Sequence, residues 1–307
     1  MPELSVLEDR ALKALLAIQR NYEREITSIL RQSLDSIQGQ LSSFYEKYVQ
    51  EGTLSFAEMT KYNRLKNLEI NIINTLDPAI RKSLKKIDRL RPEMFNESFF
   101  RHAWAIDNSQ GIRLQWGTLS DKALQENILN PFYTTFYEQA KTNLAFTTKA
   151  KVLGIINQGL IQGKALDVIA RELRKETNIA NYNALRIVRT ETISAINAGQ
   201  EKAYRVAEEK GIEGEYIWDA TLDGRTRPDH ANMDQKVRNE ETGLFDGPGG
   251  EKAPYPGWQG LSAGQRINCR CRLRFQVKGF SPQLRRIREE GVLPYQTYQD
   301  WDKRRKK

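Results

Sequence analysis

Residues 268–277 read NCRCRLRFQV, a stretch in which apolar and polar side chains alternate. Side chains on a β-strand point to opposite faces in turn, so one face would carry the cysteines with Leu273, Phe275 and Val277, and the other the arginines. The stretch predicts a strand with its apolar face in a core. A partner strand is predicted at residues 215–218 (EYIW), and the Gly-, Pro-, Asp- and Asn-rich residues 219–265 between them predict turns and loops.

The sequence before this pair of strands predicts helices. Apolar residues recur in steps of three and four over residues 3–50, which predicts one long amphipathic helix, with Gly39 as a candidate break. Such a helix either packs on its own domain or self-associates with the helix of a second copy. Pro92 is expected to end a later helix and Pro131 to mark a kink or a boundary. Further helices are predicted at 165–176 and 181–210, with Gly211 as the C-cap, and a short one at 283–290.

These patterns together predict an α+β fold class, with long N-terminal helices followed by a small mixed α+β module and a basic C-terminal tail. The predicted organisation is a helical region at 1–150, the α+β module at 151–280 and the tail at 281–307.

Composition excludes several classes of protein. The 307 residues are 39% hydrophobic and 28% charged. No stretch of about 18 apolar residues is present, so no membrane association is expected. Two cysteines cannot build a disulfide framework, and the N-terminus lacks a signal core, so we expect the protein to be made in a cytosol.

Positive charge is concentrated at the C-terminus. Residues 266–307 carry 13 basic and 4 acidic side chains, which favours contact with a polyanion. Arginines two apart on a strand have a spacing close to that of successive phosphates, although they could instead pair with acidic residues of 201–250. The predicted DNA-binding residues are Arg270, Arg272, Arg274, Lys303, Arg304, Arg305, Lys306 and Lys307.

The two cysteines have two interpretations. The favoured interpretation is that both are buried free cysteines, which pack as small apolar side chains. The other is a metal site formed by His230, Cys269 and Cys271, with Asp229 or Asp223 as a fourth ligand. A Cys-x-Cys motif with one histidine is a weak zinc signal, and no cofactor is expected.

Charged residues around residues 189–230 predict a polar latch. Arg189 and Glu191 are two apart on a helix and diverge, so each needs a partner elsewhere, for which Asp223 and Arg225 are candidates. The predicted latch consists of Arg189, Glu191, Asp223, Arg225 and His230.

Four short motifs, in this order, resemble one known family. They are Arg189-Thr190-Glu191 with Asn197, the run DGRTRPDH at 223–230, the prolines 254 and 256, and NCRC at 268–271. The chain over about 150–275 resembles the Mu F-like minor head proteins, or head morphogenesis proteins, of tailed phages.

The resemblance implies a minor capsid protein without established catalytic activity. It implies binding to the portal protein during procapsid assembly, contact with double-stranded DNA, and a location inside the procapsid and virion near the portal after synthesis in the host cytoplasm. The alternative is a metal-dependent hydrolase or nuclease built on His230 and neighbouring acids, Asp229 and Glu191.

Overall fold

The computed structural model describes residues 3–48, 61–117, 131–279, 284–287, 291–294, 300 and 303. Long helices come first and a small sheet module follows, so the predicted α+β class is confirmed. The helices are α1 (Leu4–Tyr48), α2 (Arg64–Gln110), α3 (Pro131–Ile161), α4 (Leu166–Glu209), α5 (Pro228–Ala231) and α6 (Ala263–Arg266), with 3₁₀ turns at Lys61–Asn63 and Pro248–Gly250. The strands are β1 (Gly214–Asp219), β2 (Lys236–Val237), β3 (Phe245–Asp246), β4 (Lys252–Ala253), β5 (Arg272–Val277), β6 (Leu284–Ile287) and β7 (Gly291–Pro294).

The described part divides into two compact units, each built from separated stretches of the chain. One unit draws on the chain up to Arg20, from Arg89 to Thr134 and from Arg189 onward; the other comprises residues 21–88 and 135–188. The units therefore interleave along the sequence, and the predicted division into residues 1–150, 151–280 and 281–307 stays a prediction.

The second unit has a core made entirely by helix faces. Its buried side chains come from all four long helices: Ile37, Leu41, Phe44, Tyr45, Leu68, Ile72, Leu76, Ile80, Val152, Ile156, Leu160, Ile169 and Leu173. The apolar stripe of α1 is thus covered within its own chain, with Leu15, Ile26 and Leu41 fully buried. This agrees with packing on its own domain and leaves little of that stripe for pairing with a second copy.

The helices are longer than the sequence predicted. The prediction that Pro92 ends a helix was wrong, because α2 runs through both Pro78 and Pro92 to Gln110. A proline inside a helix costs roughly 3 kcal/mol, and the buried residues on either side of Pro92, Leu90 and Met94 among them, offset that cost. The helices predicted at 165–176 and 181–210 are one continuous helix, α4, and α1 is unbroken at Gly39.

The first unit holds the sheet module. β1 lies at the centre of an antiparallel sheet of order β2-β1-β5, with Trp218 opposite Leu273. Two small antiparallel pairs, β3–β4 and β6–β7, are also present. The second pair replaces the helix predicted at 283–290. In the core, the rings of Tyr204 and Phe275 stack at 4.9 Å and Trp218 is fully buried.

β5 begins later than its sequence pattern suggested. The strand starts at Arg272, because Asn268 has a φ of 54°, a left-handed conformation that no strand residue adopts. Cys269 and Cys271 therefore lie in the irregular segment before the strand, although both are buried, as the alternating pattern predicted.

A close approach of α4 to α2 in the first unit depends on Gly199. A Cβ added to Gly199 would lie 2.4 Å from the carbonyl oxygen of Phe95 and 2.9 Å from the Cβ of Ser98. Beside it, the Ser98 hydroxyl donates to the carbonyl of Ile196 at 2.6 Å. The run of small side chains before Gly199 thus lets the two backbones approach.

The substitution Gly199→Ala is expected to destabilise the protein by about 2 kcal/mol, because the methyl group forces the helices apart. The matched control is Gly39→Ala, since a Cβ at Gly39 meets nothing within 4 Å. Alanine has the higher helix propensity, so the control should stabilise by up to about 1 kcal/mol. Urea denaturation followed by circular dichroism measures both. Equal effects of the two substitutions would show that the close approach does not matter.

Candidate functional site

Asn197 on α4 holds together two segments of the sheet module, the loop at Pro256 and the stretch from Cys271 to Leu273. Its side-chain amide donates to the carbonyls of Pro256 at 2.8 Å and Cys271 at 3.1 Å, and its oxygen accepts from the backbone N–H of Leu273 at 2.9 Å. The residue is 1% exposed. One side chain thereby satisfies three buried backbone groups that would otherwise be costly to leave unpaired.

Glu191, also on α4, lies in a buried charge cluster. Its carboxylate accepts from Arg91 at 2.9 Å and from Arg266. Arg91 also donates to Ser194 at 3.3 Å and to Gln259. The side chains of Glu191 and both arginines are only 2–3% exposed. Such a cluster is stable only while all of its charges remain paired.

Asp223 lies in the loop after β1 and pairs with Arg270. The guanidinium of Arg270 spans both carboxylate oxygens, one contact being 2.6 Å, and the backbone N–H of Arg225 donates to Asp223 at 2.9 Å. Burial by itself would raise the pKa of Asp223, but these hydrogen bonds outweigh it and lower the pKa to about 2. Asp223 therefore stays charged at neutral pH and fixes the loop against Arg270.

β5 carries two further arginines, and acidic residues at the start of α1 contact both. Arg272 pairs with Asp9 and Asp219, and Arg274 pairs with Glu8 at 3.4 Å. Burial raises the pKa of Glu8, although Arg274 and a hydrogen bond from the Tyr204 hydroxyl favour its charged form. Residues near the N-terminus thus complete the charge pairing of β5.

His230, Cys269 and Cys271 come together between α5 and the start of β5. Nδ1 of His230 lies 3.4 Å from Sγ of Cys271 and 3.6 Å from Sγ of Cys269. All three residues are at most 3% exposed. Hydrogen bonding between the two cysteines lowers the pKa of Cys269 and raises that of Cys271 well above its ordinary value.

Of the five residues predicted to form one latch, Asp223 and Arg225 contact each other, whereas Glu191 and His230 have other partners. Glu191 has Arg91 and Arg266 as its partners, Asp223 has Arg270, and His230 has the cysteines. Arg225 is exposed and 4.0 Å from Asp223, and Arg189 is on an exposed part of α4. The polar groups therefore act as several local clusters instead of one.

The predicted DNA-binding arginines of 270–274 all pair with carboxylates, and Arg274 is buried. The reason is that Glu8 and Asp9 cover the arginine face of β5, which the sequence pattern had suggested was open. In the tail, Lys303 is exposed; Arg304, Arg305, Lys306 and Lys307 lie outside the described residues.

Neither candidate for a fourth metal ligand belongs to the histidine–cysteine cluster. Asp229 is exposed and accepts from Gln265 at 3.3 Å, while Asp223 is held by Arg270. Within the described residues, His230, Cys269 and Cys271 are the group of three or more potential metal ligands whose ligand atoms converge, all within 4.8 Å of one another.

Among the described residues, no helix combines the length and apolar character needed to cross a membrane.

All of these clusters draw on the segment that matches a known family. Residues 150–274 match the family described as Phage Mu protein F like protein. This segment is a Mu F-like domain. The resemblance inferred from the four motifs is thereby confirmed. Asn197, Glu191, Asp223, His230 and the two cysteines all belong to the Mu F-like domain, whereas Arg91, Glu8 and Asp9 lie before it in the sequence.

Two curated relatives extend the similarity beyond the Mu F-like domain. The chain is 27% identical over 289 residues to the minor head protein GP7 of Bacillus phage SPP1, covering 92% of each protein. It is 28% identical over 298 residues to a protein named NAD(+)–arginine ADP-ribosyltransferase EFV, from Enterococcus faecalis. That match covers 94% of this chain but only 59% of the Enterococcus protein. No solved structure has significant similarity to the chain.

Proposed function

We propose that the chain is a minor head protein of a tailed phage, which binds the portal protein during procapsid assembly and contacts packaged double-stranded DNA. The observation that carries this proposal is the end-to-end similarity to GP7, over 92% of both chains. The protein would be made in the host cytoplasm and lie inside the procapsid and virion near the portal.

The buried clusters support a structural role and not a catalytic one. A hydrolase built on His230 would need the imidazole to reach a substrate, yet the residue is 2% exposed. Glu191 would serve as its base, but two arginines occupy the carboxylate. The charged groups of the Mu F-like domain therefore hold segments together, which is what a docking protein requires.

Portal binding needs an exposed apolar surface, and α2 offers one. Phe100 and Trp104 are one helical turn apart and 47% and 49% exposed. Aromatic side chains at the centre of protein interfaces supply much of the binding energy. We place portal contact on this aromatic pair of α2.

The double substitution Phe100→Ser/Trp104→Ser is expected to weaken binding to the portal protein of the same phage by about thirtyfold, as loss of about 2 kcal/mol implies. The matched control is Phe146→Ser on α3, where an aromatic side chain 74% exposed is removed elsewhere. Surface plasmon resonance on immobilised portal measures both. Unchanged affinity in the double variant would exclude this surface, and no binding by the unmodified chain would exclude the portal as partner.

DNA contact is placed on exposed cations, because the arginines of residues 270–274 are paired internally. One source is the basic run 303–307 of the sequence, of which Lys303 is described and exposed, and the exposed Arg81, Lys82 and Lys85 on α2 are another. Each phosphate that a cation contacts releases counterions, so binding must weaken as salt rises.

Replacing all five basic residues of 303–307 with Gln is expected to reduce the salt dependence of duplex binding, by about 0.9 in the log–log slope for each phosphate that is no longer neutralised. The parallel variant Lys82→Gln/Lys85→Gln tests the second source. Fluorescence anisotropy with a labelled duplex, from about 50 to about 200 mM salt, measures the slope. If the affinity of the unmodified chain for the duplex did not change with salt concentration, DNA contact would be excluded.

A further inference from the structure

Nδ1 of His230 faces both sulfur atoms of the histidine–cysteine cluster, and the two cysteines also hydrogen-bond to each other. Both Sγ atoms lie within 3.6 Å of Nδ1 of His230. An imidazole nitrogen has either one proton or one lone pair, so it makes a good hydrogen bond to only one of the two thiols. A single cation placed among the three atoms would engage all of them.

The distances fit a tetrahedral ion. With Zn–S of about 2.3 Å and Zn–N of about 2.0–2.1 Å, a tetrahedral angle places the nitrogen about 3.5 Å from each sulfur. The two observed distances are 3.4 and 3.6 Å. Both nitrogen–sulfur distances therefore match those of a tetrahedral zinc site.

The far side of the His230 ring has both an acceptor and a donor beside Nε2. Nε2 lies 3.0 Å from Oε1 of Gln265, an acceptor for the ring N–H when Nδ1 binds a metal. Arg227 also contacts Nε2, at 2.9 Å, and it has the carbonyls of Gln265 and Ile267 as its other partners. Because a guanidinium only donates, the zinc-bound tautomer, which has its proton on Nε2, requires Arg227 to leave Nε2 while it keeps its two carbonyl bonds.

An unsatisfied donor lies against the cluster. The indole N–H of Trp218 is buried without a hydrogen-bond partner, and the ring of Trp218 meets that of His230 edge-on with centroids 6.3 Å apart. Buried polar groups are nearly always paired, so a missing ligand in this region is indicated. A metal-bound thiolate or water is an acceptor of the required kind.

We propose that His230 Nδ1, Cys269 Sγ and Cys271 Sγ bind one Zn²⁺ ion, with a buried water as the fourth ligand. Two thiolates neutralise the ion, which suits a site enclosed by protein. The ion would connect α5 to the turn that precedes β5 and so fix where β5 begins. Since all three residues are buried, the role is structural.

The full-length chain, produced with zinc in the medium and purified without chelator, is expected to contain close to one zinc per chain by elemental analysis. The double variant Cys269→Ser/Cys271→Ser should lose it, while the matched control Asp229→Asn, which changes the exposed neighbour of His230, should keep it. The proposal would be overturned if the cysteine variant still contained zinc, or if the unmodified chain contained a different metal in place of zinc.

Two measurements on the unmodified chain keep the proposal testable if the cysteine variant fails to fold. Cobalt added to the metal-free protein should give the thiolate-to-metal absorption of a tetrahedral site, and added zinc should raise the thermal midpoint by more than about 5 °C. Metal-free protein that shows neither change, or that has no titratable thiols because the two cysteines form a disulfide, would overturn it.

Discussion

Replacing Glu191 with Gln is expected to lower the free energy of unfolding by about 3–5 kcal/mol. The substitution keeps the shape of the side chain but removes the negative charge that both Arg91 and Arg266 contact. Two guanidinium groups, each 2% exposed, would then be without their shared carboxylate. A buried charge that is deprived of its partner costs far more than an exposed pair contributes, because water does not replace the missing interaction.

The measurement is urea denaturation followed by circular dichroism, with Glu97→Gln as the matched control. Glu97 pairs with Arg101 at 2.8 Å, but both side chains are about 40% exposed. Exposed pairs contribute at most about 1 kcal/mol, so the control should change stability little. A decrease below about 1 kcal/mol for Glu191→Gln would mean that solvent reaches the cluster.

The second large effect is expected at Asn197. Asn197→Asp is nearly isosteric and keeps the acceptor for the backbone N–H of Leu273, but it removes the two N–H donors to Pro256 and Cys271. A carboxylate would also face two carbonyl oxygens in a buried site. Two unpaired acceptors at about 1–3 kcal/mol each predict a decrease in stability of about 3 kcal/mol at neutral pH.

The deficit of this variant relative to the unmodified chain should shrink in acid. Burial raises the pKa of the carboxyl group introduced at position 197, and its protonated form can donate again to one carbonyl. Because the introduced carboxyl has a higher pKa in the folded than in the unfolded protein, its protonation stabilises the folded state. This stabilisation is complete below the unfolded-state pKa, about 3.9, and is lost as the pH rises through the folded-state pKa. Asn108→Asp, at an exposed amide that donates to the Trp104 carbonyl, is the control. Equal decreases in both variants would show that the Asn197 bonds are not special.

The charge pairing of the Mu F-like domain has a practical consequence for its study. Glu191 pairs with Arg91, and the arginines of β5 pair with Glu8 and Asp9, residues outside the family match. In a fragment that begins near residue 151, Glu191 would keep Arg266 and Arg272 would keep Asp219, but Arg274 would lose its ion pair with Glu8. Variants in the full-length chain are therefore the sound way to assign functions to its parts.

Local patterns were enough to predict the elements whose burial is regular. The steps of three and four in residues 3–50 predicted α1, and the residue types at 215–218 predicted β1. They failed at Pro92 and at Asn268. At Pro92, packing with distant segments overrides the tendency of proline to end a helix. At Asn268, a left-handed backbone conformation overrides the local strand propensity.

The sequence by itself determined the helix-then-sheet order, the family of residues 150–274 and the residue types that form the polar clusters. Only the tertiary structure decided which carboxylate each arginine meets. Glu8 and Arg274 are 266 residues apart in the chain, and neither residue's neighbours in sequence indicate the other. A charged side chain specifies that it needs a partner when buried, but which partner it finds depends on which segments the fold brings together.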